Sequence, residues 1–234
     1  MKKLLQPVHD LFNVVFPNIC SCCSNTLSTT EKEVCYNCID KLPLTNFYKD
    51  KDNTVAQKFW GRIRLESAAA FYFQNKENIT QQLIHQLKYK HKTNIGLKLG
   101  EIMGHYLSQP DSIFKDIDIL IPLPLHITKQ RIRGYNQCDF IAEGLSSVLQ
   151  KPFATDVVKR AIANESQTKK NKFQRWENVD GIFELANKEK IKNKHLLLID
   201  DVVTTGSTIE ACANALLKEP SIKLSVLTVA FPQD

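Results

Sequence analysis

Two acids, four hydroxyl side chains and a glycine stand together between residues 200 and 208. Asp200 and Asp201 follow the apolar run His195-Leu196-Leu197-Leu198-Ile199, and Val202, Val203, Thr204, Thr205, Gly206, Ser207 and Thr208 complete the turn. Carboxylates cannot hold phosphate themselves, because like charges repel. They suit ribose hydroxyls, or a hard Mg2+ ion that in turn carries phosphate oxygens. The turn offers hydroxyls and backbone amides, and a helix beginning there would add the positive end of its dipole, so it suits a phosphate. Phosphate, sugar diol and divalent cation in one loop point to a phosphoribosyl group. An acidic strand end before an ordinary capped helix is the plainer alternative, and the contiguity of the two motifs argues against it.

A second cluster is made of sulfur. Five of the seven cysteines fall between residues 20 and 38, and Cys20, Cys23, Cys35 and Cys38 give C-x2-C, eleven intervening residues, then C-x2-C. Two such knuckles present four thiolates to one tetrahedral zinc ion, a closed structural site with no position open for chemistry. Cys22 is surplus and offers an alternative C-x-C grip, but two intervening residues is the usual reach. An odd cysteine count and the absence of an export signal argue against disulfides and for a cytoplasmic protein. Cys138 and Cys212 fall on expected helices and read as core residues.

These groups need elements to position them. The run at residues 195–199 lacks alternation, as a strand buried on both faces does, and places the acids at its carboxyl end, where open α/β sheets bind ligands. Ile209, Cys212, Ala213, Leu216 and Leu217 then share one helix face, and Ser207 with Glu210 forms a capping-box pattern. A second strand, helix and loop set is read from Ile117–Leu125, the loop His126–Tyr135 with its basic residues, and a helix from Asn136 to Leu149. Further strands are expected at Ser67–Phe73, Val157–Ala161, Gly181–Leu185 and Leu224–Phe231, with helices at Ile79–Leu87 and Ile95–Leu107. Alternating strands and helices imply a parallel sheet flanked by helices. The basic connection Lys88-Tyr89-Lys90-His91-Lys92 reads, on composition alone, as a solvated loop.

The 234 residues hold one α/β domain plus a small appendage, and a net charge of +6 suits phosphate-bearing ligands without resembling a nucleic-acid-binding tail. No apolar run is long enough to span a membrane. The division expected is residues 1–48, a short amphipathic helix bearing Leu4, Leu5, Val8, Leu11, Phe12 and Val15 plus the zinc knuckles, and residues 60–234, the α/β domain. Between them, residues 41–60 read as polar and irregular.

The stretch Ile199 to Thr208 closely resembles the phosphoribosyl pyrophosphate (PRPP) loop of type I phosphoribosyltransferases. That resemblance implies that Asp200 and Asp201, the catalytic acids, contact the ribose hydroxyls with Mg2+ nearby, and that Thr204 to Thr208 wrap the 5′-phosphate. Pro122-Leu123-Pro124-Leu125-His126 and Arg133-Gly134-Tyr135-Asn136-Gln137 resemble signatures of the ComF competence-protein family, which also carries an N-terminal four-cysteine segment. The resemblance adds Arg133 to the PRPP-binding residues and implies a lid containing Gln167, Arg175 and Asn178. It further implies a part in natural transformation, with PRPP as ligand and single-stranded DNA or DNA-uptake and helicase proteins as partners.

Two other readings compete. One is a non-catalytic nucleic-acid-binding adaptor, with the turn taking a backbone phosphate and Lys88–Lys92 and Lys169–Trp176 supplying charge and stacking. The other is a phosphoribosyltransferase of nucleotide metabolism with an acceptor the sequence does not name. A nucleotide hydrolase fails, because no G-x4-G-K-[ST] occurs in the chain.

Overall fold

The computed structural model describes residues 17–76, 78–160 and 182–233. Its first half carries α1 (Tyr36–Asp40), α2 (Thr54–Gln57), β1 (Ser67–Gln74), α3 (Ile79–Tyr89), α4 (Thr93–Leu107) and β2 (Ile119–Pro122). There follow α5 (Ile127–Arg133), α6 (Gln137–Leu149), β3 (Val158–Arg160), β4 (Phe183–Leu185), β5 (His195–Val202), α7 (Ser207–Leu216) and β6 (Lys223–Pro232). The fold is α/β, a parallel sheet flanked by helices.

Four strands pair in parallel in the order β1-β6-β5-β2, which puts β5 inside the sheet. Alternate residues of each strand feed two separate cores. Leu197, Ile199, Leu227, Leu120 and Phe71 face one, with residues of α3, α4 and α6; Leu196, Leu198, Val226, Ile121 and Ala70 face the other, with α7, Phe59 and the β3–β4 ribbon. Because both faces are covered, β5 is apolar at every position from Leu196 to Ile199, and each of these side chains is worth about 1.5–3 kcal/mol in transfer from water. The β3–β4 ribbon is antiparallel and separate from the main sheet.

Helices α4 and α6 approach through glycine. A Cβ at Gly100 would overlap the Ile141 carbonyl, and one at Gly144 would overlap the Leu97 carbonyl, so their backbones touch at this seam.

The stretch read as irregular from composition is instead built onto the sheet. Thr45 donates its amide to the Phe71 carbonyl at 3.0 Å and Phe73 to the Pro43 carbonyl at 2.8 Å, so this segment runs beside β1. Tyr48 stacks on Phe71 at 5.3 Å, and the buried Asn53 side chain caps α2 by accepting the Val55 and Ala56 amides. Polar composition misleads here because Asn53 is spent on local backbone groups, as Asn at a helix start commonly is. The four-cysteine segment shares the core on the α3–α4 side through Cys20, Val34, Cys35, Cys38 and Leu42. Among the described residues no helix is long and apolar enough to cross a membrane.

Candidate functional site

β5 delivers Asp200 and Asp201 to its carboxyl end, and their surroundings separate them. Asp201 is buried, accepts a hydrogen bond from Gln137 Nε2 at 2.5 Å and is paired with Lys88 Nζ at 2.7 Å. Asp200 is partly exposed and accepts its neighbour's amide at 2.8 Å, with the Cys138 thiol 3.6 Å away. Desolvation and the adjacent Asp201 charge push the Asp200 carboxyl up to about 7, against the pull of the Asp201 amide and Lys88. An Asp200 carboxyl poised to lose its proton near neutrality can exchange that proton for a cation or for sugar hydroxyls.

The turn beyond is seated from below and open above. Val203 is buried and donates its amide to the Ala230 carbonyl at 3.0 Å, so it anchors the loop rather than facing outward. Gly206 adopts φ +80°, and a Cβ there would lie 2.8 Å from Cε1 of the buried Phe59 ring. Only glycine satisfies both the backbone and the ring. Thr204, Thr205, Ser207 and Thr208 are exposed, and the amides of Thr204, Thr205 and Gly206 have no partner among the described residues. This is the donor array expected of a phosphate cradle at a helix start.

The expected capping box does not form. α7 starts at Ser207 with Gly206 as its cap, and Glu210 turns outward to pair with Arg62, whose Nη1 also reaches the Thr205 carbonyl at 3.4 Å. A glycine in the left-handed conformation already turns the chain into the helix, and the arginine competes for the glutamate. Arg62 thereby ties the loop to the segment that carries Phe59.

The stretch His126–Tyr135 is mostly helix: α5, capped by His126, whose ring nitrogen accepts the Thr128 amide at 3.2 Å. Of its two apolar residues, Ile127 and Ile132, the second points outward, which hides the helical period from the sequence. Arg133 is buried at the end of α5, hydrogen-bonds Gln137, and lies over the Tyr89 ring at 5.5 Å, so it reaches Asp201 only through Gln137. Gln167, Arg175 and Asn178, expected in a lid, lie outside the described residues, as does the amphipathic segment from Leu4 to Val15.

Sequence reasoning missed four contributors: Lys88, Gln137, Arg62 and Phe59. Lys88 was absorbed into a connection read as solvent, whereas it sits on α3 and turns inward to the acid. Gln137 stood in a motif that lent a role to Arg133 alone. Nothing local marks Arg62 or Phe59, whose partners lie some 140 residues away in sequence.

The four expected sulfur ligands come together. Sγ atoms of Cys20, Cys23, Cys35 and Cys38 lie within 4.8 Å of one another, with Cys23 and Cys35 3.7 Å apart, while Cys22 stands outside the group. Burial pushes the Cys20 thiol up, but amides of Cys23, Cys35 and Cys22 more than reverse this and leave it at about 6. Cys38 is pushed well up by burial. Four converging sulfurs, one of them stabilised as thiolate by backbone donors, fit a metal ion. Cys138 and Cys212 are buried, and burial raises both thiols well above the usual range, as for inert core residues.

Residues 137–231 match the phosphoribosyl transferase domain family. The chain is 32% identical over 141 residues to competence protein F of Haemophilus influenzae, a match covering 58% of this chain and 61% of that protein, less than two thirds of its length. It is 28% identical over 210 residues to the DNA utilization protein YhgH of Escherichia coli, covering 89% of this chain and 88% of the relative. Competence protein ComFC of Bacillus subtilis is 33% identical over 125 residues, covering 51% of this chain and 49% of that protein. Among solved structures, a glutamine phosphoribosylpyrophosphate amidotransferase from B. subtilis aligns with a TM-score of 0.42 and 11% identity, over 62% of this chain and 30% of that one. A hypoxanthine phosphoribosyltransferase from Staphylococcus aureus aligns at 0.35 and 13%, over 59% of this chain and 64% of its own.

Proposed function

We propose that the chain is a member of the ComF competence-protein family, that it binds PRPP over the carboxyl end of β5, and that it acts in natural transformation, handling incoming single-stranded DNA in the cytoplasm. The observation that carries the reading is the juxtaposition of two carboxylates, Asp200 among them poised near neutrality, with an exposed turn of hydroxyls and of amides unpartnered among the described residues at the start of α7. Residues 60–234 form the ligand-binding domain in this reading, and residues 1–48 a segment clamped by Zn2+ on Cys20, Cys23, Cys35 and Cys38.

Asp200 and Asp201 accept hydrogen bonds from the ribose hydroxyls. Thr204, Thr205, Gly206, Ser207 and Thr208 hold the 5′-phosphate through amides and hydroxyls, and Val202 and Val203 carry the turn on the strand. Lys88 and Arg133 supply positive charge beside the acids, where a pyrophosphate group would lie. Asp200 and Asp201 also suit Mg2+, which when bound carries pyrophosphate oxygens and neutralises leaving-group charge. If the chain turns PRPP over, pyrophosphate is replaced at the anomeric carbon through a cation-like transition state, and positioning with charge stabilisation is the protein's whole contribution.

Calorimetric titration of the zinc-loaded chain with PRPP, with and without Mg2+, tests the reading. Asp200→Asn with Asp201→Asn removes two charged acceptors worth about 1.5–3 kcal/mol each, so binding should weaken about 100-fold or more while the fold persists by circular dichroism. Undiminished binding in the double variant would sink the reading.

A second reading, the nucleic-acid-binding adaptor, draws on one surface. Tyr89 is 63% exposed and Ile132 81% exposed, beside Lys88, Lys129 and Arg133, next to the acid pair. An exposed ring and an aliphatic side chain among cations suit stacked bases and backbone phosphate. Fluorescence anisotropy with a single-stranded oligonucleotide should then show affinity falling steeply with salt, and Tyr89→Ala should weaken it about tenfold. Salt-independent binding would count against this surface.

A further inference from the structure

The link between α3 and α4 is gripped from two sides. Toward the sheet, Lys88 pairs with Asp201 at 2.7 Å, and the Tyr135 hydroxyl donates to the Leu87 carbonyl. Toward the cysteines, Gln86 Nε2 donates to the Ser21 carbonyl at 3.3 Å. Lys92 Nζ donates to Ser21 Oγ at 2.9 Å and pairs with Glu33 at 3.2 Å. Three of the four donating side chains, Gln86, Lys88 and Lys92, therefore lie within six residues of one another, and they join the two clusters.

The socket for Lys92 is built from both knuckles. Ser21 stands between Cys20 and Cys22, and Glu33 precedes Cys35 by two residues. The Ser21 amide donates to the Glu33 carbonyl at 2.7 Å and its hydroxyl to Glu33 Oε2 at 3.3 Å. A metal ion drawing Cys20 and Cys23 toward Cys35 and Cys38 fixes the distance between Ser21 and Glu33, and without it the two halves of the socket are free to part.

We infer that Ser21 and Glu33 are positioning residues for the acid site. The clamped knuckles hold Gln86 and Lys92, these fix the end of α3, and the end of α3 sets Lys88 against Asp201. The cysteine segment then acts on ligand binding from outside the ligand's reach. The consequence for PRPP rests on the function proposed above, whereas the mechanical link between the knuckles and α3 does not.

The test uses the zinc-loaded full chain and Glu33→Gln, which keeps every cysteine, and Lys92→Met, which leaves both knuckles untouched. Three quantities are read: zinc per chain, amide hydrogen exchange over residues 86–92, and PRPP affinity with Mg2+, the last also in a Lys88→Met background. Zinc content should stay at one per chain, and exchange over residues 86–92 should quicken. Affinity should fall about twofold to fivefold, the range of a part-exposed ion pair, and should fall no further once Lys88 is Met. Unchanged exchange in both variants overturns the inference, as does an equal loss of affinity with and without Lys88. A parent chain that binds no PRPP overturns the proposed function instead, and exchange alone then decides the link.

Discussion

The cysteine knuckles and the acid-bearing turn are both small convergences of ligand-capable side chains, and they are finished to different degrees. At the knuckles three of four sulfurs are buried, and Cys20 already takes backbone amides; four thiolates on one ion would leave no vacant direction. At the turn Thr204, Thr205, Ser207 and Thr208 face solvent, backbone donors stand unused among the described residues, and Asp200 keeps its proton to about pH 7. A cluster that satisfies itself supplies shape, and one that leaves donors and acceptors unspent supplies recognition.

Replacing one thiolate attacks the closed cluster and should have the largest effect. Cys35→Ser should release the metal and destabilise the chain by on the order of 5 kcal/mol, because structural zinc contributes binding free energy of about 10 kcal/mol or more. Zinc per chain and the melting temperature check this, and retained metal with unchanged melting would refute the clamp. The open turn is next. Gly206→Val places a β-branched residue at φ +80° and against Phe59, so it should cost about 2–3 kcal/mol by denaturant titration and abolish PRPP binding. A variant as stable as the parent would mean that the turn rearranges at no cost.

The smallest effect on ligand binding is electrostatic, and stability and binding respond to it with opposed signs. The folded Asp200 carboxyl titrates near 7 rather than at its ordinary 3.8, so the folded chain holds this proton more tightly. Stability from this group is therefore full below about pH 4 and is lost as pH rises through about 7. Ligand binding that needs the Asp200 carboxylate ionised runs the other way, gaining about fivefold between pH 6 and 7 and less than about twofold more by pH 8. Thermal melts and titrations across pH 4–8 read the two slopes, and Asp200→Asn should flatten both. Parallel slopes would show that the ligand prefers the protonated Asp200.

How far each region could be read in advance follows from how local its determinants are. C-x2-C spacing and the Asp200–Thr208 turn lie within a few residues, and the unbroken apolar run of β5 announces a strand covered on both faces. The groups that complete the acid site come from elsewhere: Lys88 from the end of α3, Gln137 from the start of α6, Arg62 and Phe59 from the segment before β1. No period or spacing encodes such meetings. α5 was hidden because its face carries Lys129, Arg131 and an exposed Ile132 rather than an inward stripe, and the segment from Pro43 to Phe59 because its pairing with β1 is set by position in the fold.

The glycine seam between α4 and α6 has a mechanical meaning. With backbone against backbone at Gly100 and Gly144, there is no layer of side chains between the helices to compress or re-sort. The two behave as a single beam. The contacts advance together along both helices, so both begin at the same end of the beam, α4 just after Lys92 and α6 with Gln137, the residue on Asp201. The seam thus puts the residue after Lys92 and the residue on Asp201 on one shared, closely packed backbone support.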